Sequence, residues 1–158
     1  MRATLTTDCR EATIALGERL GRLLGPGAVV ALYGELGAGK TVLTKGIARG
    51  LGVRGDVHSP TFTLIHEHAG AVPLYHVDLY RIDEEREIES VGIEEYLEGD
   101  CVTVIEWAEK MRSMLPADSI HVTLRTTGET SREIVFETDS PRLQHVVEEL
   151  IHDADAGS

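Results

Sequence analysis

Apolar and polar positions repeat with two periods along this chain of 158 residues, and the switches between them predict most of its elements. Leu5 and its neighbours read as a first edge strand. Leu16, Leu20, Leu23 and Leu24 then share one helix face, with Asp8 as the expected cap and Glu11 as its reciprocal partner. Gly25-Pro26-Gly27 ends that helix. Ala28 to Tyr33 is a short apolar run, the pattern of a buried strand. Beyond it Leu43, Ile47 and Leu51 recur every four residues, as one face of a second helix.

The second half continues the alternation. Phe62 to His68 and Val72 to Val77 read as strands parted by Ala69-Gly70-Ala71. Glu84 to Leu97 is mostly helical, broken at Gly92, and Cys101 to Ile105 is a further buried strand. Ser119 to Arg125 and Arg132 to Glu137 read as antiparallel strands joined around Gly128. Ser140 is placed to cap a last helix with Pro141 in its first turn. Leu143, Val146, Val147, Leu150 and Ile151 form that helix's apolar stripe. The pattern leaves the strand order open.

One stretch carries recognisable chemistry. Gly34-Glu35-Leu36-Gly37-Ala38-Gly39-Lys40-Thr41 has the spacing of a phosphate-binding P-loop. Such a loop turns several backbone N–H groups toward one anion, and the helix that follows adds its positive dipole end. Lys40 then reaches the β- and γ-phosphates, and the Thr41 hydroxyl ligates Mg²⁺. The plain alternative is a Gly-rich turn, but the strand before and helix after are the context a P-loop requires. The fold expected is therefore a three-layer α/β P-loop NTPase domain, with a mostly parallel central sheet and added antiparallel strands. Residues 1–138 make up the ATPase domain, and 139–158 a helix and frayed tail packed on it. No Asn occurs anywhere in the chain, so the Asn-Lys-x-Asp motif that reads guanine in Ras-like GTPases is absent and ATP is the expected nucleotide.

A P-loop site also needs an acid at the end of a neighbouring strand. Glu106 ends the cleaner apolar run and is the preferred metal ligand. Asp78 ends Leu74-Tyr75-His76-Val77, where His76 interrupts the run. It reads as a further carboxylate near the metal or as the group orienting attacking water. The alternative for either acid is a turn cap. Trp107 beside Glu106 is core or a wall of the site. His58-Ser59-Pro60-Thr61 lies where P-loop switches carry a hydroxyl that senses the γ-phosphate, the alternative being a Pro turn. His66 and His68 alternate on a strand, and His76 with Asp78 could mimic a metal pair; the first pair reads as a solvated face, since no third ligand is evident.

Composition narrows the partners. The formal net charge is −12, from 27 acidic against 15 basic residues, which argues against direct contact with a nucleic-acid backbone. An acidic protein can serve a nucleic-acid pathway through a basic protein partner. Aromatics make up only 4%, so the core is expected to be aliphatic. No apolar stretch approaches a membrane span and the N-terminus lacks a signal region, giving a cytoplasmic expectation with no membrane partner. Cys9 and Cys101 are too few for a disulfide framework and are expected as reduced thiols.

Read together, Gly34 to Thr41, Ser59-Pro60-Thr61-Phe62-Thr63-Leu64, His76-Val77-Asp78-Leu79-Tyr80-Arg81 and Ile105-Glu106-Trp107 resemble the bacterial TsaE (YjeE) family. The resemblance covers about Leu5 to Glu137. The loop is generic, but its combination with the three other segments is specific. It implies an ATPase component of tRNA threonylcarbamoyladenosine (t⁶A) biosynthesis, using ATP and Mg²⁺. Lys40 and Thr41 would bind phosphate and Mg²⁺, with Glu106 as metal ligand and Asp78 as Walker-B-like acid. Ser59 to Thr61 would form a switch-like loop, Trp107 would belong to the site, and Arg132 would lie near the nucleotide. Binding and slow hydrolysis of ATP would drive a TsaB–TsaD heterodimer, which itself modifies the tRNA, so tRNA is met only indirectly. Turnover would be weak alone, since no arginine finger is evident; Arg81 is the nearest candidate by position. Two departures stand out: His68 replaces an aromatic residue, and the tail after Glu137 carries no family motif. The rivals are a P-loop small-molecule kinase, for which no Arg-bearing lid is visible, and a non-hydrolysing ATP-sensing module.

Overall fold

The computed structural model describes residues 1–55, 57, 65–90, 92–97 and 99–156. Its seven strands form one sheet: β1 (Arg2–Thr7), β2 (Val29–Tyr33), β3 (Ile65–His68), β4 (Leu74–Asp78), β5 (Val102–Glu106), β6 (Ser119–Thr126) and β7 (Arg132–Glu137). The order across the sheet is β1-β7-β6-β2-β5-β4-β3. The four central strands β6, β2, β5 and β4 are mutually parallel. β7 and β1 extend one side and β3 the other, each antiparallel to its neighbour. Parallel strands need crossover connections, and those connections put helices on both faces.

Side-chain alternation assigns the faces. Val30 and Leu32 of β2, Val102 and Val104 of β5, and Ile120, Val122 and Leu124 of β6 point to one core. That core is closed by α1 (Arg10–Leu23), α2 (Lys40–Gly50) and α5 (Gln144–Ala156). Val29, Ala31, Val77 and Ile105 point the other way. They meet α3 (Glu85–Ser90), α4 (Ile93–Leu97) and a 3₁₀ helix over Ala108–Met114 through Ile88, Ile93, Leu97 and Met111. The result is the expected three layers. Gly92, at φ +71, sits in the break between α3 and α4.

Two expected caps are not made. The residue ahead of α1 is Cys9, in extended backbone with no side-chain cap, and Asp8 is exposed. Thr13, not Glu11, holds this corner, its hydroxyl 2.7 Å from that of Thr7 in β1. α5 begins at Gln144, after Pro141, and the Ser140 hydroxyl donates to Asp118 at 2.5 Å. A neighbouring carboxylate outcompetes the helix end for that hydroxyl. Among the described residues no helix is long and apolar enough to cross a membrane.

Candidate functional site

The site is built where β2 stops. Gly34 leaves the strand at φ +148, and a Cβ there would meet Leu124 O at 2.7 Å, so the chain turns only because no side chain is present. Gly39 caps α2 in the left-handed region at φ +103, a conformation costly for any residue with a Cβ. α2 then starts at Lys40, so its N-terminal end lies at the loop.

Lys40 is 5% exposed. Its Nζ donates to Gly34 O and, at 3.0 Å, to Glu35 O, and lies 3.8 Å from the centre of the Trp107 ring. Burial pushes the ammonium below its ordinary range, while the charges of Glu106, Glu109 and Asp78 oppose that shift. Trp107 is itself unusual, with φ 60 and ψ 41 immediately after β5. A bulky residue in the left-handed region is strained, and here the turn carries its ring over Lys40. Tyr80 also packs against Trp107, 5.2 Å between ring centres.

The acids arrive on adjacent strands, since β4 and β5 pair with Asp78 opposite Glu106. Glu106 is 2% exposed. It accepts from the Thr41 hydroxyl, at 3.0 Å to Oε1 and 3.2 Å to Oε2, and from His76 Nε2. Asp78 accepts the Tyr80 N–H at 3.0 Å, so it does cap the turn after β4. It also faces the loop: burial raises its pKa most, with Glu106 adding, against the Tyr80 N–H and the charges of His76 and Lys40.

The raised value gives a stability prediction. Folding favours the protonated acid, so the cost of the charge appears as pH rises through the folded-state value. Asp78→Asn keeps the acceptor for Tyr80 and removes the charge. It should raise the melting temperature at pH 7–8 by on the order of 2 °C, a gain vanishing below about pH 4, while lowering ATP turnover. Thermal melts across pH check this; a variant less stable than the parent at pH 8 contradicts it.

Arg132 reaches across from β7 and grips the loop from outside, Nε to Ala38 O at 3.1 Å and Nη2 to Gly37 O at 3.3 Å. Its Nη1 also holds Ser131 O at 2.8 Å. The residue is thus brought to the loop, as a clamp on its carbonyls. Arg81 is exposed on the turn after β4. Thr61, Ser59 and the rest of the switch-like segment lie outside the described residues. His66 and His68 sit on the edge strand β3, half-buried, and His66 pairs with His76 across the ladder.

Two features were missed in the sequence. A cavity of about 180 Å³ borders Gly37 and Gly39 and is walled by Arg10, Thr13, Glu129 and Thr130. These residues lie over a hundred positions apart, and no local signal joins them. The other is His76, whose place in an apolar run was a signal, but of burial and not of a partner.

The donor set fits a magnesium ion. Thr41 Oγ1 and Glu106 Oε1 are 3.0 Å apart, close to the roughly 2.9 Å edge of an octahedron with metal–oxygen bonds of 2.0–2.1 Å. Among the described residues no three His, Cys, Asp or Glu side chains converge as a metal site of their own.

A glycine loop between a central parallel strand and a helix, with its Lys and Thr against an acid on the next strand, defines a P-loop NTPase-like fold. Within that class the chain belongs to the TsaE family: the model described as "Threonylcarbamoyl adenosine biosynthesis protein TsaE" matches residues 7–134. The tRNA threonylcarbamoyladenosine biosynthesis protein TsaE of Bacillus subtilis is 41% identical over 141 residues, 89% of this chain and 88% of that one. The protein of the same name from Streptomyces coelicolor is 44% identical over 124 residues, 75% of this chain and 83% of that one. The crystal structure of Bacillus subtilis YdiB superposes with a TM-score of 0.84 at 35% identity, covering 98% of this chain and 97% of that one. The chain is therefore a member of a t⁶A-biosynthesis family.

Proposed function

We propose that the protein binds ATP with Mg²⁺ on the Gly34–Thr41 loop, hydrolyses it slowly, and thereby drives a TsaB–TsaD complex that forms t⁶A on tRNA. The observation that carries this reading is the buried cluster in which Thr41 and Glu106 stand at metal-ligand spacing beside Lys40. Bound Mg²⁺, held by Thr41 and Glu106 with Asp78 nearby, supplies charge neutralisation at the phosphates. The chain's own residues do the rest. The loop amides cradle the β-phosphate. Lys40 leaves the carbonyls of Gly34 and Glu35, to which it now donates, and moves to the γ-phosphate. Asp78 orients the attacking water in line with the leaving oxygen. The base lies against the cavity between Arg10 and Thr130.

Slow turnover follows from the arginines. Arg132 donates to loop carbonyls and Arg81 is exposed, and neither is assigned as an arginine finger. A partner is needed to complete the site. Leu36, within the loop, is 75% and Tyr80, packed on Trp107, 51% exposed, two of the three large apolar side chains left open among the described residues. Such a rim supports docking of a protein over the mouth of the site. Phosphate release with Mg-ATP, scored with and without TsaB–TsaD, tests the reading. Inorganic phosphate accelerated by the complex is expected. Transfer of the γ-phosphate to a small acceptor would contradict it in favour of a kinase, and tight binding without turnover in favour of a sensor.

A further inference from the structure

His76 occupies the middle of β4 and is completely buried. It shares the face of Leu74, which lies in the α2-side core. Its Nε2 is bonded to Glu106 Oε2, and its Nδ1 is buried with no hydrogen-bond partner among the described residues. A carboxylate oxygen only accepts, so Nε2 donates to it, while Nδ1 is a buried polar atom. A leucine would fill this volume without that cost. Among the described residues, the polar contact that sets His76 apart from a leucine is therefore its bond to Glu106.

That bond has a directional consequence. It engages Oε2, while Thr41 Oγ1 lies nearer to Oε1, at 3.0 Å, than to Oε2, at 3.2 Å. We propose that His76 is a positioning residue, holding the Glu106 carboxylate so that a divalent cation seated at Thr41 meets one defined oxygen, Oε1. The ring is completely buried, whereas an unheld carboxylate turns freely about its last torsion. Removing such an outer partner weakens metal binding by about 10–100-fold. The proposal rests on the magnesium-dependent reading of the site given above.

Trp107 is the only tryptophan and lies against Lys40, so its fluorescence reports the loop. Mg²⁺ is titrated into the protein carrying a non-hydrolysable ATP analogue, for the parent, His76→Leu and His76→Gln. His76→Leu should need about 10–100-fold more Mg²⁺, and His76→Gln, whose amide N–H reaches the same oxygen, should return to within about threefold of the parent. Analogue binding in a chelator should be equal in all three. Identical Mg²⁺ curves for His76→Leu and the parent overturn the proposal, as does a glutamine variant as weak as the leucine one. Should His76→Leu fail to fold, His76→Asn, one bond shorter, takes its place, and Asn and Gln responding alike overturns it. A parent protein that binds the analogue but ignores Mg²⁺ overturns the underlying reading of the site as well.

Discussion

Glu106→Ala should lower Mg²⁺-dependent ATP turnover by at least about 100-fold and destabilise the fold at the same time. Both effects come from the same carboxylate. It stands at metal-ligand distance from the Thr41 hydroxyl and is the acceptor for the buried His76 Nε2. Alanine leaves the His76 N–H without a partner, at a cost of about 1–3 kcal/mol, and opens a polar hole beside the loop. Glu106→Gln separates the two consequences. Its amide keeps the volume and one acceptor oxygen but carries no charge for a cation. Turnover should fall nearly as far, while the urea midpoint recovers part of the loss. Phosphate release and equilibrium unfolding on the same preparations check both halves. Turnover unchanged in either variant would remove Glu106 from the site.

Gly46→Ala is expected to be worse for the fold than any substitution at the site. α1 and α2 cross with backbone against backbone. A Cβ on Gly46 would lie 2.1 Å from Ile14 O and 2.9 Å from Gly17 Cα, and one on Gly17 2.4 Å from Leu43 O. Helix propensity alone predicts the opposite sign, since alanine is favoured over glycine in a helix by about 1 kcal/mol. Steric exclusion wins, because the atoms in the way are backbone on both sides and cannot rotate aside. The helices must separate, and the leucines and isoleucines between them and the sheet lose contact. A loss of at least about 3 kcal/mol follows, a large fraction of the stability of a domain this size. Gly25→Ala, where the added methyl meets nothing within 4 Å, is the control. Chemical denaturation of the pair decides it, and equal midpoints would mean that the helix crossing yields where packing says it cannot. Because α2 begins at Lys40, Gly46→Ala should also weaken nucleotide binding at concentrations where the protein stays folded.

The parts of this molecule that were legible in the sequence are those whose cause is local. Leu43, Ile47 and Leu51 declare one face of a helix because 3.6 residues make a turn, and all three are buried in the core. Val29 to Tyr33 declares a strand covered on both faces, and the glycines of Gly34 to Thr41 declare the tight turn from it into α2. Gly92 marked the break between α3 and α4 for the same reason.

What was not legible depends on neighbours. Alternation says which face a side chain takes but not which strand lies beside it, so the insertion of β6 between β2 and β7 could not be read. Asp8 and Ser140 were reasonable caps by composition. The geometry of Cys9 and the carboxylate of Asp118 decided otherwise. Asp78 and Glu106 each looked like either an acid of the site or a turn cap. Pairing puts them side by side, and Asp78 does cap a turn while facing the loop. His76 shows the limit most plainly: the interruption of an apolar run was visible, but its partner on the next strand was not.

The most direct measurement is ATP hydrolysis by the purified protein, alone and with TsaB–TsaD and tRNA, scored beside multiple-turnover t⁶A formation. The account predicts that repeated rounds of t⁶A formation require this chain, that the complex raises its ATP turnover, and that Lys40→Ala and Glu106→Ala abolish both. t⁶A formation that proceeds equally without the chain, or with Lys40→Ala in its place, would contradict it.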